Sequence, residues 1–256
     1  MKPMQADFVI VGSGSAGAVM ADRLSADGKH SVIVVEYGGT DIGPFIQMPA
    51  ALSYPMNMSR YDWGYQSEPE PHLDGRRLAC PRGKVIGGSS SINGMVYNRG
   101  QAADFDIWAQ MGNRGWGFDD LLPYFKRSEQ RMGPGDDRFR GRDGELPITD
   151  IDWINPLAEA FLDAAEGLGI PRIADYNAGR QFGAGYFQRY IHKGKRVSTA
   201  DAFLRPALRR QSTSLRTRAQ VVEIVLEGTR ATGVRYRDGS GAEHVVHARR
   251  EVSGER

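Results

Sequence analysis

The stretch DFVIVGSGSAGAVMADRLSADGKHSVIVVE, residues 7–36, decides the fold. A short apolar run, residues 8–11, leads directly into Gly12-Ser13-Gly14-Ser15-Ala16-Gly17, which has the G-x-G-x-x-G spacing. In this spacing the first glycine permits a tight turn, the second lets the backbone approach a pyrophosphate, and the third lets the following helix pack closely on the strand. The helix N-terminus then faces the anion. We therefore predict a strand, a phosphate-binding turn and a helix over residues 8–25.

A second apolar run, residues 31–35, follows the helix and ends at Glu36. Glu36 lies about 20 residues after the glycine turn, the spacing expected for a carboxylate that binds ribose hydroxyls. An acid at this place disfavours a 2′-phosphate and therefore NADP. These residues leave FAD and NAD open as ligands, and a glycine-rich surface turn is the alternative without a ligand.

The composition is that of an ordinary soluble globular protein. Of the 256 residues, 40% are hydrophobic and 25% are charged, and 33 basic against 31 acidic side chains give a net charge of +2. So small a net charge indicates no nucleic-acid partner. The single cysteine, Cys80, excludes an internal disulfide and suits a reducing compartment. We therefore expect a cytoplasmic protein.

The ends and the hydropathy of the chain bear on its location. The first predicted strand follows Ala6 so closely that no room is left for a signal peptide. No run approaches the ~20 apolar residues of a transmembrane helix. Any association with a membrane is therefore expected to be peripheral.

A second glycine-rich segment follows a long loop. Residues 38–59 are rich in Gly, Pro, Met and Asn and predict a surface loop. Asp74-Gly75 then predicts a hairpin turn, whose return strand leads to RGKVIGGSSSING at residues 82–94. The many unhindered backbone N–H and hydroxyl groups of this segment make it a candidate cradle for an anion or a polar ring. A flexible linker is the alternative.

Two helices and a meander are predicted in the remainder. Residues 119–130 form an amphipathic helix with Pro123 in its first turn, and Asn155-Pro156 opens a helix that Gly169 closes. The inward positions are Leu121, Leu122 and Phe125 in the first of these helices and Leu157, Phe161, Ala165 and Leu168 in the second. Residues 214–217, 221–226, 232–236 and 244–247 predict a small antiparallel meander, with an edge-like last strand.

The second glycine-rich segment carries a family resemblance. Its pattern Gly83-Lys84-x-Ile86-Gly87-Gly88-Ser89-Ser90-x-Ile92-Asn93-x-x-x-Tyr97-x-x-Gly100 resembles the first signature of the glucose–methanol–choline oxidoreductases. Further similarity runs through Trp116, residues 122–129, 175–177, 183–188 and 196–204. The sequence at residues 67–71 and 93–97 is most similar to the choline dehydrogenase and bacterial alcohol dehydrogenase branch.

The resemblance implies FAD rather than NAD. The ADP half would lie on the first glycine turn, through Gly12, Ser13, Gly14, Ala16 and Gly17, with Glu36 on the ribose. The isoalloxazine would lie against residues 85–96, and Val221 would present its backbone to the adenine. The residues implied on the flavin side are Val85, Ser89, Asn93, Gly94, Met95 and Val96.

Two departures from the family pattern concern the cofactor. Some relatives attach FAD covalently through a histidine immediately before the motif asparagine, whereas this chain has Ile92 there. We therefore expect non-covalent FAD. Tyr37 stands where the family commonly has alanine after the acid, and is expected to alter packing near the adenosine.

The expected fold class is mixed α/β (α+β), an FAD/NAD(P)-binding Rossmann-like domain with part of an inserted substrate-binding domain, truncated at the C-terminus. The FAD-binding domain is predicted to comprise residues 1–150 and 196–256, discontinuous and incomplete, and residues 151–195 to belong to the substrate-binding domain. Residues 253–256 do not follow the family pattern.

The resemblance also implies a reaction. A histidine base would take the proton of a substrate hydroxyl while hydride passes to flavin N5, giving an aldehyde or ketone from a small-molecule alcohol. None of the five histidines lies in a family catalytic motif, so the catalytic residues are expected beyond the C-terminus. The electron acceptor is left open among a quinone, a carrier and oxygen. The alternatives are a catalytically inactive FAD-binding fragment and an unrelated NAD-binding protein.

Overall fold

The computed structural model describes residues 4–254. The strands are β1 Met4–Val11, β2 Val32–Val35, β3 Glu129–Arg131, β4 Leu146–Ile148, β5 Ile191–His192, β6 Lys195–Arg196, β7 Thr213–Arg216, β8 Gln220–Glu227, β9 Arg230–Arg237 and β10 Glu243–Gly254. The α-helices are α1 Ser15–Ser25, α2 Pro44–Gln47, α3 Ala102–Gln110, α4 Phe118–Ser128, α5 Pro156–Gly167 and α6 Arg205–Leu208. Short 3₁₀ turns lie at Pro49–Ala51, Pro55–Asn57, Pro71–Leu73 and Gly88–Ser91, and a π-helical turn spans Ala200–Leu204.

The chain forms two compact units, Met1–Gly94 with Lys195–Arg256, and Met95–Gly194. Compactness alone does not assign either unit to cofactor or to substrate binding. The predicted division by domain type, at residues 150 and 196, therefore stays a prediction. Of the residues expected to be out of pattern, Glu255 and Arg256 lie outside the described part of the chain.

The first unit is built on one mixed sheet with strand order β7-β2-β1-β10-β9-β8. β2 pairs in parallel with β1 and β7, and β10 pairs in parallel with β1 and antiparallel with β9. The parallel half of the sheet packs against a helix, and the strands of the antiparallel half are joined by turns. This arrangement confirms the predicted α/β class with mixed character.

The core of this sheet explains why the sequence could predict it. All four residues of β2 are buried, and α1 packs on the sheet through Gly17, Ala18 and Ala21, which are buried small residues. Parallel strands that are covered on both faces appear in a sequence as continuous apolar runs. The strand, turn, helix and strand predicted over residues 8–35 are confirmed.

The meander prediction needs a correction. β8, β9 and β10 do form an antiparallel meander, but β7 joins the parallel side, with Thr213 opposite Val32. β10 is an interior strand because it lies between β1 and β9, so the edge position expected for its histidines was wrong. Its pairing with β1 continues to Gly254, which places two of the residues expected to be out of pattern in the sheet.

Residues 38–59, predicted as a surface loop, form irregular structure with the short helix α2 and two 3₁₀ turns. The hairpin predicted at Asp74-Gly75 is present as isolated bridges, Gln66 with Ala79 and Glu70 with Arg76. Asp74 and Gly75 both have positive φ, 54° and 71°. Such backbone angles explain the need for residues that tolerate the left-handed region at this turn.

The second unit contains α3, α4, the β3–β4 pair and α5. Its centre is an ion network in which the carboxylate of Glu129 accepts hydrogen bonds from Arg99 and Arg140, all three side chains being buried. Arg140 also binds Asp175 at 2.7 Å. Buried charges are tolerated when they are paired and hydrogen-bonded. The network therefore links strand β3 to loops that precede it and loops that follow it in the chain.

Both predicted helices of this unit exist, with two differences. α4 begins at Phe118, so Pro123 is an interior residue and not part of the first turn. In α5, Leu162 and Ala165 are buried, whereas Leu157, Phe161 and Leu168 are 78%, 67% and 82% exposed. The predicted core face of α5 was therefore wrong at three of its four positions.

Within residues 4–254, no helix has the length and apolar character that crossing a bilayer requires. The cytoplasmic location and the peripheral membrane association expected from the sequence stay predictions.

Candidate functional site

The glycine turn between β1 and α1 has the geometry of a phosphate-binding turn. Gly12 has φ +95 and donates its N–H to the carbonyl of Val35 at 2.9 Å. Gly14 is the N-cap of α1, and its carbonyl accepts the N–H of Ala18. Ser15 and Ala16 are exposed at the start of the helix. The first turn of α1 therefore offers an anion an accessible helix N-terminus.

Glu36 joins this turn to the end of β2. Its buried carboxylate accepts the N–H and the hydroxyl of Ser13, each at 2.8 Å, and the N–H of Gly38 at 2.6 Å. An ionised carboxylate offers about four acceptor positions, so these bonds are compatible with a ribose hydroxyl as a further donor. Glu36 thus positions the turn, while its contact with ribose stays a prediction.

The second glycine-rich segment packs directly on the first. The N–H of Gly87 donates to the carbonyl of Ser13 at 3.0 Å. Gly88 has φ +54, and a Cβ placed on it would lie 2.7 Å from the Cα of Gly14. Two backbones approach this closely only where side chains are absent. The structure therefore brings together the two segments that the sequence singled out, and the flexible-linker alternative is wrong.

The predicted flavin-side residues have different surroundings. Ser89 uses its hydroxyl to accept the N–H of Gly83 at 3.1 Å. Val85 is fully buried and packs with Ile46, Tyr61 and Ile92, so only its backbone could meet a ligand. Asn93 and Gly94 are half-buried at the end of the segment.

Met95 and Val96 belong to the second unit. Met95 is buried and has φ +61, a conformation that costs a residue with a Cβ roughly 1–3 kcal/mol. Its carbonyl accepts the N–H of Tyr190 at 3.2 Å. Val96 is exposed and forms a bridge with Arg189. Their contact with flavin stays a prediction.

A cleft of about 350 Å³ opens beside the end of β2. Its lining comprises Tyr37, Gly38, Gly39, Arg60, Lys84, Arg218, Gln220, Arg237, Asp238 and Gly239. Two hydrogen bonds fix the wall before β8, from Ala219 N–H to the Glu36 carbonyl at 2.9 Å and from Arg218 N–H to the Gly38 carbonyl at 3.1 Å. Val221 follows Gln220 on β8, an edge strand. One side of the β8 backbone therefore faces no neighbouring strand of the sheet.

An aromatic ladder extends one wall of the cleft. The ring of Tyr37 stacks on Trp63 at 4.7 Å, and Trp63 stacks on Tyr65 at 6.0 Å. The ammonium of Lys84 lies 5.7 Å from the Trp63 ring centre. Stacked aromatic rings beside a cation suit a ligand in which an aromatic base lies close to a negatively charged group. Local sequence patterns did not indicate this aromatic ladder. Its one signal was the tyrosine at position 37, where the family commonly has alanine.

The charges of the cleft are mainly positive. Its lining includes four basic residues, Arg60, Lys84, Arg218 and Arg237, and one acidic residue, Asp238. Hydrogen bonds from Ser240, together with one from His244 at 2.7 Å, hold the pKa of Asp238 well below its usual range. Asp238 therefore stays ionised and offers no general acid at neutral pH. Within residues 4–254, no three His, Cys, Asp or Glu side chains come together in a way that could hold a metal ion.

Comparison with known proteins agrees with this geometry. A family model described as GMC oxidoreductase matches residues 6–253. The chain is 55% identical over 249 residues to the oxygen-dependent choline dehydrogenase of Sinorhizobium fredii, covering 97% of this chain and 45% of that protein. It thus spans about half the length of the curated relatives that it matches.

Solved structures give the same answer for the fold. Pyridoxine 4-oxidase from Mesorbium loti superposes with a TM-score of 0.90 at 36% identity, over 97% of this chain and 48% of that chain. An FAD-dependent oxidoreductase from Chaetomium thermophilum also gives 0.90, at 31% identity, over 97% and 45%. The resemblance, the fold class and the choice of FAD over NAD are confirmed at the level of the family.

Proposed function

Because the chain belongs to the GMC oxidoreductase family, we propose that it is the FAD-binding half of a flavin-dependent oxidoreductase that acts on CH–OH groups. The observation that carries this proposal is the backbone contact of Gly88 with Gly14. It joins the phosphate turn to the family signature, so that one cofactor could touch both segments. A surface turn without a ligand would have no need of this approach.

Each part of FAD has residues that suit it. The pyrophosphate would lie at the N-terminus of α1, where Gly12, Gly14 and Gly17 keep side chains away. The adenosine would enter the cleft between Tyr37 and the start of β8, with Glu36 on the ribose and the Val221 backbone on the adenine. The flavin ring would lie against residues 85–94. Met95 and Val96 complete the proposed set of cofactor residues.

We propose a non-covalent cofactor, because Ile92 is buried in the cluster with Val85 and Ile46 and has no atom that could bond to flavin. We also propose that residues 1–150 and 196–256 form the FAD-binding domain and that residues 151–195 belong to the substrate-binding domain.

The proposed substrate is a small primary alcohol of the choline type, on the strength of the names of relatives that share 55% identity. Bound FAD would supply the hydride acceptor for oxidation at the alcohol carbon. The residues of this chain bind and orient that cofactor. None of the five histidines lies within residues 85–96, the segment proposed for the flavin ring, so we propose that the base is supplied by polypeptide corresponding to the other half of the relatives. Oxygen is one acceptor to test, beside quinones and carriers.

Titration of the purified chain tests the proposal. FAD fluorescence should be quenched on binding, ADP should compete with FAD, and NAD, which shares only the ADP half, should compete no better than ADP. Addition of choline should leave bound flavin oxidised, because we propose that the catalytic base lies outside this chain. Bleaching of the flavin by choline would contradict the proposal that the base lies outside this chain. Nicotinamide-dependent turnover without flavin would contradict the proposed function itself.

A further inference from the structure

Arg196 is a buried arginine at the end of β6, with 4% of its surface exposed. Its Nε donates to the carbonyl of Ile46 at 2.9 Å. Its Nη1 donates to the carbonyl of Ser90 at 3.1 Å and to Oδ1 of Asn93 at 3.0 Å. One guanidinium therefore ties together α2, the 3₁₀ turn Gly88–Ser91 and the Asn93 side chain.

The residues after Arg196 hold the same turn. The N–H of Thr199 donates to the hydroxyl of Ser90 at 3.0 Å, and the Ser90 hydroxyl donates to the carbonyl of Gly87 at 2.6 Å. Residues 196 and 199 thus both donate hydrogen bonds to the Gly88–Ser91 turn, the turn that approaches Gly14. A site held this way keeps its geometry because its supporting bonds fix the backbone and not only one side chain.

The chemistry of arginine determines which way Asn93 points. A guanidinium has donors and no acceptor, whereas an asparagine amide has an oxygen that accepts and a nitrogen that donates. Asn93 must therefore turn its oxygen to Arg196, and its amide nitrogen occupies the other branch of the side chain.

We propose that Arg196 is a positioning residue for the cofactor, which fixes the orientation of the Asn93 amide and the height of the Gly88–Ser91 turn against the flavin ring. This inference rests on the proposed function, since it needs FAD on residues 85–94. Arg196 need not touch the flavin. Its effect on the flavin passes through Asn93 and the backbone of Ser90.

Two substitutions separate orientation from mere packing. Arg196→Lys keeps the buried cation but loses the fork that reaches Ser90 and Asn93 together. Asn93→Leu removes the amide while leaving the bonds of Arg196 to Ile46 and Ser90. If the proposal is right, each variant weakens FAD binding by roughly five- to tenfold, the loss expected for one hydrogen-bonded contact. The double variant then loses little more than either single one.

Arg210 provides the matched control. It also holds one element of the first unit by three bonds, to the carbonyl and carboxylate of Asp22 at 2.9 and 2.8 Å and to the Ser25 hydroxyl at 2.9 Å. These partners lie in the last turn of α1, at the opposite end of the helix from the N-terminus proposed for the pyrophosphate. Arg210→Lys should lower the unfolding temperature without changing FAD affinity or the visible spectrum of the bound flavin.

The experiment measures FAD affinity, the shape of the visible flavin absorption band and the unfolding temperature for all of these full-length chains. Arg196→Lys should lower affinity and alter the band shape, whereas Arg210→Lys should do neither. Unchanged affinity and spectrum in Arg196→Lys, or fully additive losses in the double variant, would overturn the proposal.

Two further results are distinguishable. If Arg196→Lys does not fold, Asn93→Leu decides alone, and wild-type affinity in that variant overturns the proposal. If the wild-type chain itself binds no FAD, the proposed function fails and this inference fails with it.

Discussion

Replacement of Gly88 by alanine tests whether the two glycine-rich segments must touch. Gly88 has φ +54, where a residue with a Cβ costs roughly 1–2 kcal/mol. The new Cβ would lie 2.7 Å from the Cα of Gly14, well inside the usual ≈3.5–4.0 Å between carbon atoms. Because the facing atom belongs to the backbone, relief requires a shift of the turn, at about 1–3 kcal/mol. We expect Gly88→Ala to lower the free energy of unfolding by about 2–5 kcal/mol.

Gly28 offers a matched control for this prediction. It has φ +69, and a Cβ placed there would meet nothing within 4 Å. Gly28→Ala therefore introduces backbone strain without a collision, at roughly 1–2 kcal/mol. Urea unfolding of both full-length variants, followed by circular dichroism, gives the two free energies, and FAD titration gives the effect on affinity. Equal destabilisation by the two substitutions would refute the reasoning, since the contact with Gly14 would then contribute nothing.

Three other predictions concern the cleft, the sheet and the ion network. Tyr37→Ala should weaken FAD binding roughly 5- to 150-fold, the equivalent of about 1–3 kcal/mol of base stacking, as measured by fluorescence titration. Hydrogen bonds from Arg249 and from residue 31 hold the pKa of Asp7 well below its usual range. The ionised Asp7 thus stabilises the fold above its unfolded pKa of about 3.9, and this contribution is lost as the pH falls towards the folded-state pKa. Thermal unfolding of Asp7→Asn should therefore depend less steeply on pH below about pH 4. Arg140→Met leaves a buried carboxylate without one of its cations and should cost about 3–5 kcal/mol in urea unfolding.

Each of these has its own control. Tyr65→Ala removes the outer ring of the ladder and should leave FAD affinity nearly unchanged, so equal losses in Tyr37→Ala and Tyr65→Ala would argue against a specific role for the inner ring. For Asp7, an identical pH dependence of thermal unfolding in variant and wild type would show that the pKa of Asp7 does not differ between the folded and unfolded chains. Arg138 is mostly exposed beside Asp136, and Arg138→Ala should cost little; a similar cost for Arg140→Met would contradict the burial argument.

The sequence predicted those parts of the fold in which neighbouring residues determine structure. The run from Phe8 to Glu36 contains both strands, the turn and the helix, and each has its own local signal in apolar runs and glycine spacing. The strands of the meander were likewise visible. The partner of the first of them was not, because a short strand such as β7, Thr213–Arg216, carries no mark of the strand beside which it will lie. β7 therefore had to be reassigned to the parallel edge.

Helix α5 shows a related limit. Periodicity places Leu157, Phe161 and Leu168 near one another on the helix, yet it does not say which face the rest of the protein covers. The structure buries Leu162 and Ala165 instead.

The candidate site was predictable only as a set of segments. Gly14, Glu36 and Gly88 each stood out by spacing or by resemblance, and the structure brings their segments together. Arg60, Arg218 and Arg237 line the cleft from segments far apart in the chain, so no local pattern could have indicated it. Arg196 lies inside the family-like stretch 196–204, but its hydrogen bonds to Ile46, Ser90 and Asn93 depend on tertiary structure alone.

The pairing of β1 with both β2 and β10 has a consequence for how the protein is made. Asp7 and Arg249, which meet across that pairing, are 242 residues apart. At about 5–20 residues per second of synthesis, β1 waits roughly 10–50 s for its second neighbour to be made. During that interval one side of β1 has unpaired backbone groups that can recruit a strand from another chain. The yield of native protein should therefore depend on translation speed and on chaperones that shield nascent strands, however stable the finished sheet is.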